Sequence, residues 1–269
     1  MSAVPHCVEH GLGVPVLAIH GWTVDHRLMT GCLEPVFLRR PGYRRIYPDL
    51  PGMGRSPAPK WIASADDVLS ALQDLIDQRI GTDRFAVIGE SYGGYLARAV
   101  ANARRTQVLG LALICPVGLV LEKSRRAVPA RTVLVRDPDL TARLDPAEAT
   151  EFTEHTVVES AETWRRFRED VLPGIQRADQ AALRRIEQHW ELRVAPENGP
   201  AYPGPTLIMT GRQDSVVGYS DVYPLLDHYP RASLAILDRA GHNLQFEQPA
   251  LFESLLAEWL DRVDEASNG

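Results

Sequence analysis

Cysteine is scarce: the 269 residues hold three, Cys7, Cys32 and Cys115. None forms a C-x-x-C pair and the number is odd, so neither a disulfide framework nor a cysteine zinc site is expected. Thiols of this kind suit a reducing compartment, and the expected location is the cytoplasm. From Met1 to Gly13 there is neither a cationic stretch nor an apolar one behind it, so no secretory signal is expected. Long hydrophobic runs are missing as well. The longest uncharged stretch, Thr106 to Leu121, is interrupted by Pro116 and falls short of the roughly 20 residues a membrane span needs. Nor is positive charge in excess: 29 Lys and Arg against 35 Asp and Glu leave a net charge of −6, which offers nucleic acid no basic surface. None of the eight histidines stands in an H-E-x-x-H, and no phosphate-binding glycine loop or dinucleotide fingerprint occurs. No metal and no cofactor is therefore expected. The expected partner is a small-molecule substrate, and the sequence leaves the oligomeric state open.

What is present is an ordinary globular mixture, 45% hydrophobic and 24% charged, in a chain long enough for one large α/β core with an insert. Short apolar runs alternate with helical stripes, the pattern of a mostly parallel, doubly wound sheet flanked by helices. The expected strands are Val14 to Ile19, Arg44 to Tyr47, Arg84 to Ile88, Val108 to Cys115, Thr206 to Thr210 and Ser233 to Leu237. Val68, Leu69, Leu72, Leu75 and Ile76 mark a helix that Ser64 and Asp67 open as a capping box. Pro249 opens a last helix with Leu251, Phe252, Leu255, Leu256, Trp259, Leu260 and Val263 on one face, before a polar tail from Asp264 that is expected to fray. Residues 117–196 break the alternation with amphipathic segments and no strand, which predicts a helical insert between core segments 1–116 and 197–269.

The chemistry centres on Gly89-Glu90-Ser91-Tyr92-Gly93-Gly94, a G-x-S-x-G between an expected strand and an expected helix. Such an elbow needs small residues at both ends, and it holds a serine hydroxyl clear of the sheet. A serine is a weak nucleophile until a base takes its proton, and the base needs an acid to orient it. His242, in Ala240-Gly241-His242-Asn243, and Asp214, in Gly211-Arg212-Gln213-Asp214, follow expected strands, where open α/β sheets place their ligands. Asp221, Asp227 and Asp238 are rival acids, but none of them sits in a turn leaving a strand. Backbone N–H groups of Tyr92 and Trp22 are the expected oxyanion donors. His20 beside Gly21 is expected to hold its loop rather than to catalyse, and Glu90 to point away from the substrate.

Taken together, GESYGG, HGWT, GRQDSVVG, AGHN and Pro48-Asp49-Leu50-Pro51-Gly52-Met53-Gly54-Arg55-Ser56, which looks like a D-x-x-G-x-G-x-S turn, resemble the α/β-hydrolase superfamily over nearly the whole chain. The resemblance implies that residues 117–196 form a cap over Ser91; the chain departs from the pattern at the amino end, where only Ser2 to Gly13 precede the first clear strand, so the usual leading antiparallel strands are expected to be shortened or partly missing. Serine at position 91 argues against branches with an aspartate nucleophile. HGWT lacks the longer glycine-rich stretch of the hydrolases that break carbon–carbon bonds in aromatic degradation. Hydrolysis of an ester, thioester, lactone or small amide is the expected activity. The alternatives are a lyase or acyltransferase using the same residues, and a ligand receptor on this scaffold. Within the cap, Trp164, Phe167 and Trp190 are the candidate substrate-binding aromatics.

Overall fold

A computed structural model describes residues 4–268. Seven strands, β1 (Cys7–His10), β2 (Val14–Ile19), β3 (Tyr43–Pro48), β4 (Phe85–Glu90), β5 (Val108–Ile114), β6 (Thr206–Gly211) and β7 (Ala232–Leu237), form one sheet in the order β1-β3-β2-β4-β5-β6-β7. All neighbours run parallel except β1, which pairs antiparallel with β3. The central strands β4 and β5 are buried along their whole length, which accounts for their unbroken apolar runs. At the amino end of the described chain, one four-residue strand, β1, edges the sheet antiparallel to β3.

Strand order dictates where the helices lie. The chain steps one way from β2 to β3 through α1 (His26–Phe37), and the other way to β4 and β5 through α2 (Ala65–Arg79) and α3 (Tyr92–Ala103). Right-handed crossovers in opposite directions put α1 on one face and α2 with α3 on the other. The order reverses between β2 and β4, and a crevice opens there beyond their carboxyl ends. At the start of α2, Ser64 Oγ accepts from Asp67 N at 3.2 Å; the Asp67 carboxylate returns to Ala63 N at 3.0 Å, one residue before the expected partner.

Between β5 and β6 the described chain contributes no strand to the sheet. It carries α4 (Pro138–Thr141), α5 (Pro146–Glu154), α6 (Ala161–Arg166), a π-helical turn (Phe167–Val171), α7 (Leu172–Arg177) and α8 (Gln180–Glu187). Phe152, Trp164, Phe167, Leu183 and Ile186 bury their side chains in the same apolar core as the sheet. The segment is also tied to the loop after β3, through Asp179 N on Gly52 O at 2.8 Å and the Arg185 guanidinium on Ala58 and Ile62 carbonyls at 3.0 Å.

After β7 come α9 (Leu244–Glu247) and α10 (Pro249–Asn268). α10 touches α1 and buries Phe252, Leu256, Trp259, Leu260 and Val263, whereas Leu251 is left 49% exposed, so the apolar face is narrower than its sequence pattern. The tail expected to fray continues this helix through Asn268, and Gly269 lies outside the described residues. None of the described helices is long and apolar enough to cross a membrane.

The turn after β3 is built around one carboxylate. Asp49, fully buried, accepts from His26 N and Arg55 N at 2.9 Å each, and faces the Nδ1 atoms of His26 at 2.8 Å and His6 at 3.0 Å. Gly54, at φ +55°, leaves room for it: a Cβ there would stand 2.4 Å from the carboxyl carbon.

Candidate active site

The turn from β4 into α3 puts Ser91 at φ 52° and ψ −116°, a conformation that costs energy in a residue with a Cβ. Its surroundings hold it there. Ser91 N donates to Ile114 O at 2.9 Å, and Ser91 O accepts from Gly94 N, Tyr95 N and Val117 N at 3.0 to 3.2 Å. Gly93 is obligatory, since a Cβ would stand 2.3 Å from Ile19 O and 2.4 Å from His20 O.

His242, in the loop after β7, brings Nε2 to 3.0 Å from Ser91 Oγ, and its Nδ1 lies 2.8 Å from Asp214 Oδ2. Asp214 is fully buried in the turn after β6, and its other oxygen accepts from Val216 N at 2.8 Å and Val217 N at 3.0 Å. Burial pushes the Asp214 carboxyl up, but His242 and these N–H donors outweigh it and hold the group below the usual carboxylate range. Burial also works against charging His242, yet the carboxylates of Asp214 and Glu90 more than offset it and raise the imidazole to about 9. The expected Ser91, Asp214 and His242 are thus brought together in one hydrogen-bonded line; the rival Asp238, contrary to expectation, does stand in the turn leaving β7, but it is exposed and its carboxylate accepts from Gln213 Nε2 at 2.8 Å instead of facing His242.

Trp22 and Tyr92 flank Ser91, their rings edge to face at 5.1 Å. Neither backbone N–H donates to another described residue, so both are free to serve an oxygen in the crevice. His20 does hold its loop. Leu50 N donates to its Nε2 at 2.9 Å, which leaves the proton on Nδ1 to reach Gly21 O at 2.7 Å, and full burial lowers its pKa.

Glu90 departs from expectation. Instead of pointing away it is 3% exposed, lines the cavity beside Ser91, and places Oε1 3.4 Å from His242 Nε2. Burial is the main cause that pushes its carboxyl up to about 7, against the pull of His242. Gly21 permits the approach: a Cβ there would meet Glu90 Oε2 at 2.1 Å. The strand carried a signal for this in its one acidic residue at a buried end, where an unpaired carboxyl is costly.

These groups open onto a cavity of about 210 Å³ between the strand ends and the helical segment. Its lining includes apolar side chains, Val24, Leu28, Phe167, Val171 and Ile175, and polar ones, Lys123, Arg126, His155 and Asn243, for which the sequence suggested no pocket role. Of the three candidate aromatics, Phe167 and Trp190 line the cavity. Trp164 does not, being packed against Phe152 at 5.3 Å and Phe167 at 6.2 Å between ring centroids.

Two sets of metal-capable side chains converge among the described residues, His6 with His26 and Asp49, and Cys115 with Asp214 and His242. In both, the carboxylate is already engaged by backbone N–H groups and imidazole.

A sequence model of the α/β hydrolase fold family matches residues 14–249, and the chain belongs to that family. An α/β superfamily hydrolase from Oenococcus oeni superposes with a TM-score of 0.88 at 30% identity, each chain 96% covered. Among curated proteins, the chain is 26% identical to a 2-hydroxymuconate semialdehyde hydrolase of Pseudomonas putida, over 95% of this chain and 90% of the relative. It is also 37% identical to lipase LipV of Mycobacterium tuberculosis, over 54% of this chain and 52% of that one. Hydrolases of several kinds are thus similar to this one.

Proposed function

We propose that the protein is a serine hydrolase acting on a small ester, thioester, lactone or amide through an acyl-enzyme. The observation that carries this reading is the hydrogen-bonded line Ser91 Oγ, His242 Nε2, His242 Nδ1, Asp214 at one end of a lined cavity. Ser91 Oγ attacks the carbonyl carbon while His242 Nε2 takes its proton; Asp214 keeps the imidazole in the needed tautomer and offsets its charge. The N–H groups of Trp22 and Tyr92 receive the oxyanion. His242 returns the proton to the leaving group, whose bond to the carbonyl breaks. Water then attacks the acyl-Ser91 ester and gives a proton to His242, which passes it to Ser91 Oγ as the acyl C–O bond breaks, releasing the acid and the free serine. The segment 117–196 acts as a cap, with Phe167 and Trp190 shaping the pocket. Three free thiols accord with work in the cytoplasm.

A second reading has support in the chain-long likeness to the semialdehyde hydrolase. The substrate in that name holds no ester, so the short HGWT loop is not sufficient ground to set carbon–carbon bond hydrolysis aside. A lyase or transferase would use the same serine.

The test is a fluorophosphonate followed by mass spectrometry, alongside turnover of an activated short-chain ester. A tag on Ser91, lost in His242→Ala, and ester turnover are expected. Neither tag nor turnover would mean a receptor on a hydrolase scaffold. A tag without ester turnover, together with cleavage of a conjugated dienoic ketone, would favour the second reading.

A further inference from the structure

Arg126 is the one cation on the cavity wall that other side chains leave uncommitted among the described residues. Its Nε donates to Val120 O at 3.0 Å and Nη2 to Leu121 O at 2.9 Å, so two carbonyls aim the planar group. No carboxylate of a described residue lies within ion-pair distance of it. Asp221 and Asp214 feel its charge from farther off, and Asp221 is itself turned to Val120 N at 3.2 Å. The Nη1 nitrogen has no partner among the described residues and is not sealed from solvent. Lys123, the other cation on this wall, is already paired with Glu187 at 2.5 Å and lies over the Trp190 ring at 5.8 Å. Its 62% exposed side chain marks this as the side where the cavity meets solvent.

A half-buried guanidinium costs desolvation energy that a small anion with two oxygens can offset. Beside the nucleophile Glu90 and Asp214 repel such an anion, which leaves Arg126, near enough for its charge to be felt by His242 and Asp214, as the group to receive it. The lining of the cavity therefore combines a carboxyl beside Ser91, the Arg126 cation and a set of apolar side chains.

The geometry points to Arg126 as a specificity-determining residue that takes a carboxylate on the substrate, so that the cavity selects short substrates bearing an anionic group remote from the scissile carbonyl. The inference rests on the serine hydrolase reading. The carboxylate can belong to the acyl half or to the alcohol half, and the two sources separate in experiment.

The acyl arm compares monoethyl glutarate with ethyl pentanoate, and the alcohol arm compares the acetate ester of γ-hydroxybutyrate with pentyl acetate. In at least one arm kcat/KM is expected to favour the anionic ester by about tenfold or more. Arg126→Gln should lower kcat/KM for that ester about ten- to hundredfold more than for its neutral counterpart, while Arg126→Lys keeps part of the preference. Protection of Ser91 from fluorophosphonate by the anionic ester but not the neutral one gives the same answer where turnover is too slow to follow. No preference for the anion in either arm, or variants that slow both esters of a pair alike, would overturn the inference and make Arg126 a brace for residues 120 and 121. If wild type takes neither the tag nor any ester, the serine hydrolase reading fails first.

Discussion

Glu90 Oε1 and His242 Nε2 stand 3.4 Å apart, so a carboxyl and the Ser91 hydroxyl face the same imidazole nitrogen. A carboxylate in that place favours the imidazolium, which cannot take a proton from serine. The acid limb of kcat/KM is therefore expected above the ordinary histidine value of about 6.5. It should reflect two coupled groups, not the single ionisation near neutrality that a lone histidine implies. Glu90→Gln removes the negative charge, lowers the pKa of His242, and so raises the neutral fraction at any given pH. The limb should move down by about one unit or more, measured on one ester from pH 5 to pH 10. A limb that stays in place, or moves up, would deny Glu90 this influence.

Members of a hydrogen-bonded line that acts as a unit fail together. Ser91→Ala and His242→Ala should each lower kcat by at least about 10³-fold with the fold intact by circular dichroism. Asp214→Asn should cost up to about 10⁴-fold by favouring the wrong tautomer. Asp238→Asn, at an exposed position whose carboxylate accepts from Gln213 Nε2 and not from His242, should remain close to wild type. The reverse ranking of the two asparagine variants would relocate the acid.

The aromatics of the proposed cap should separate by what they touch. Trp190→Ala and Phe167→Ala change the cavity wall, and kcat/KM across an ester series of increasing chain length should change unequally. Trp164→Ala empties a site packed by Phe152 and Phe167, so its main effect should be a loss of about 3 kcal/mol or more in stability. Thermal melts and the ester series, run on all three, decide this. A Trp164→Ala variant with wild-type melting and altered selectivity would contradict the packing account.

Asp49 should carry acid stability. Burial alone would push its carboxyl up, but His26 and the backbone N–H donors hold it well below the usual carboxylate range. The stabilisation is then fully present above the unfolded pKa of about 4 and is lost as pH falls below it. Asp49→Ala is expected to lower stability at pH 7 by about 3 kcal/mol. The midpoint should drop on the order of 10 °C, and the loss should shrink towards pH 2. A pH-independent deficit would mean that packing, not charge, is what Asp49 supplies.

The elbow was legible because its constraints are local: a glycine where a Cβ would strike Ile19 O, a strand before it and a helix after it. Asp214 and His242 were legible because both follow short apolar strands, β6 buried throughout and β7 only in part, whose ends the sequence marks. Glu90 was misread for the opposite reason. Its partner is 152 positions away, and nothing near it in the chain fixes the direction in which a strand's last side chain turns. Trp164 was named with Phe167 and Trp190 only as an aromatic of the same segment, and nothing local in the sequence shows that its ring packs against Phe152 and Phe167 and not along the cavity. Arg126 and Lys123 lie in irregular chain and a single 3₁₀ turn, where periodicity has nothing to say.

The carbonyl of Ser91 accepts Val117 N at 3.0 Å, which sews the reactive residue to the root of the long excursion between β5 and β6. Any swing of that excursion must pivot farther out, beyond the stitch. Were the proposed cap to move to admit or release a molecule, the attacking oxygen would stay registered with its imidazole, like a hinged cover whose bolts are set in the bench rather than in the tool.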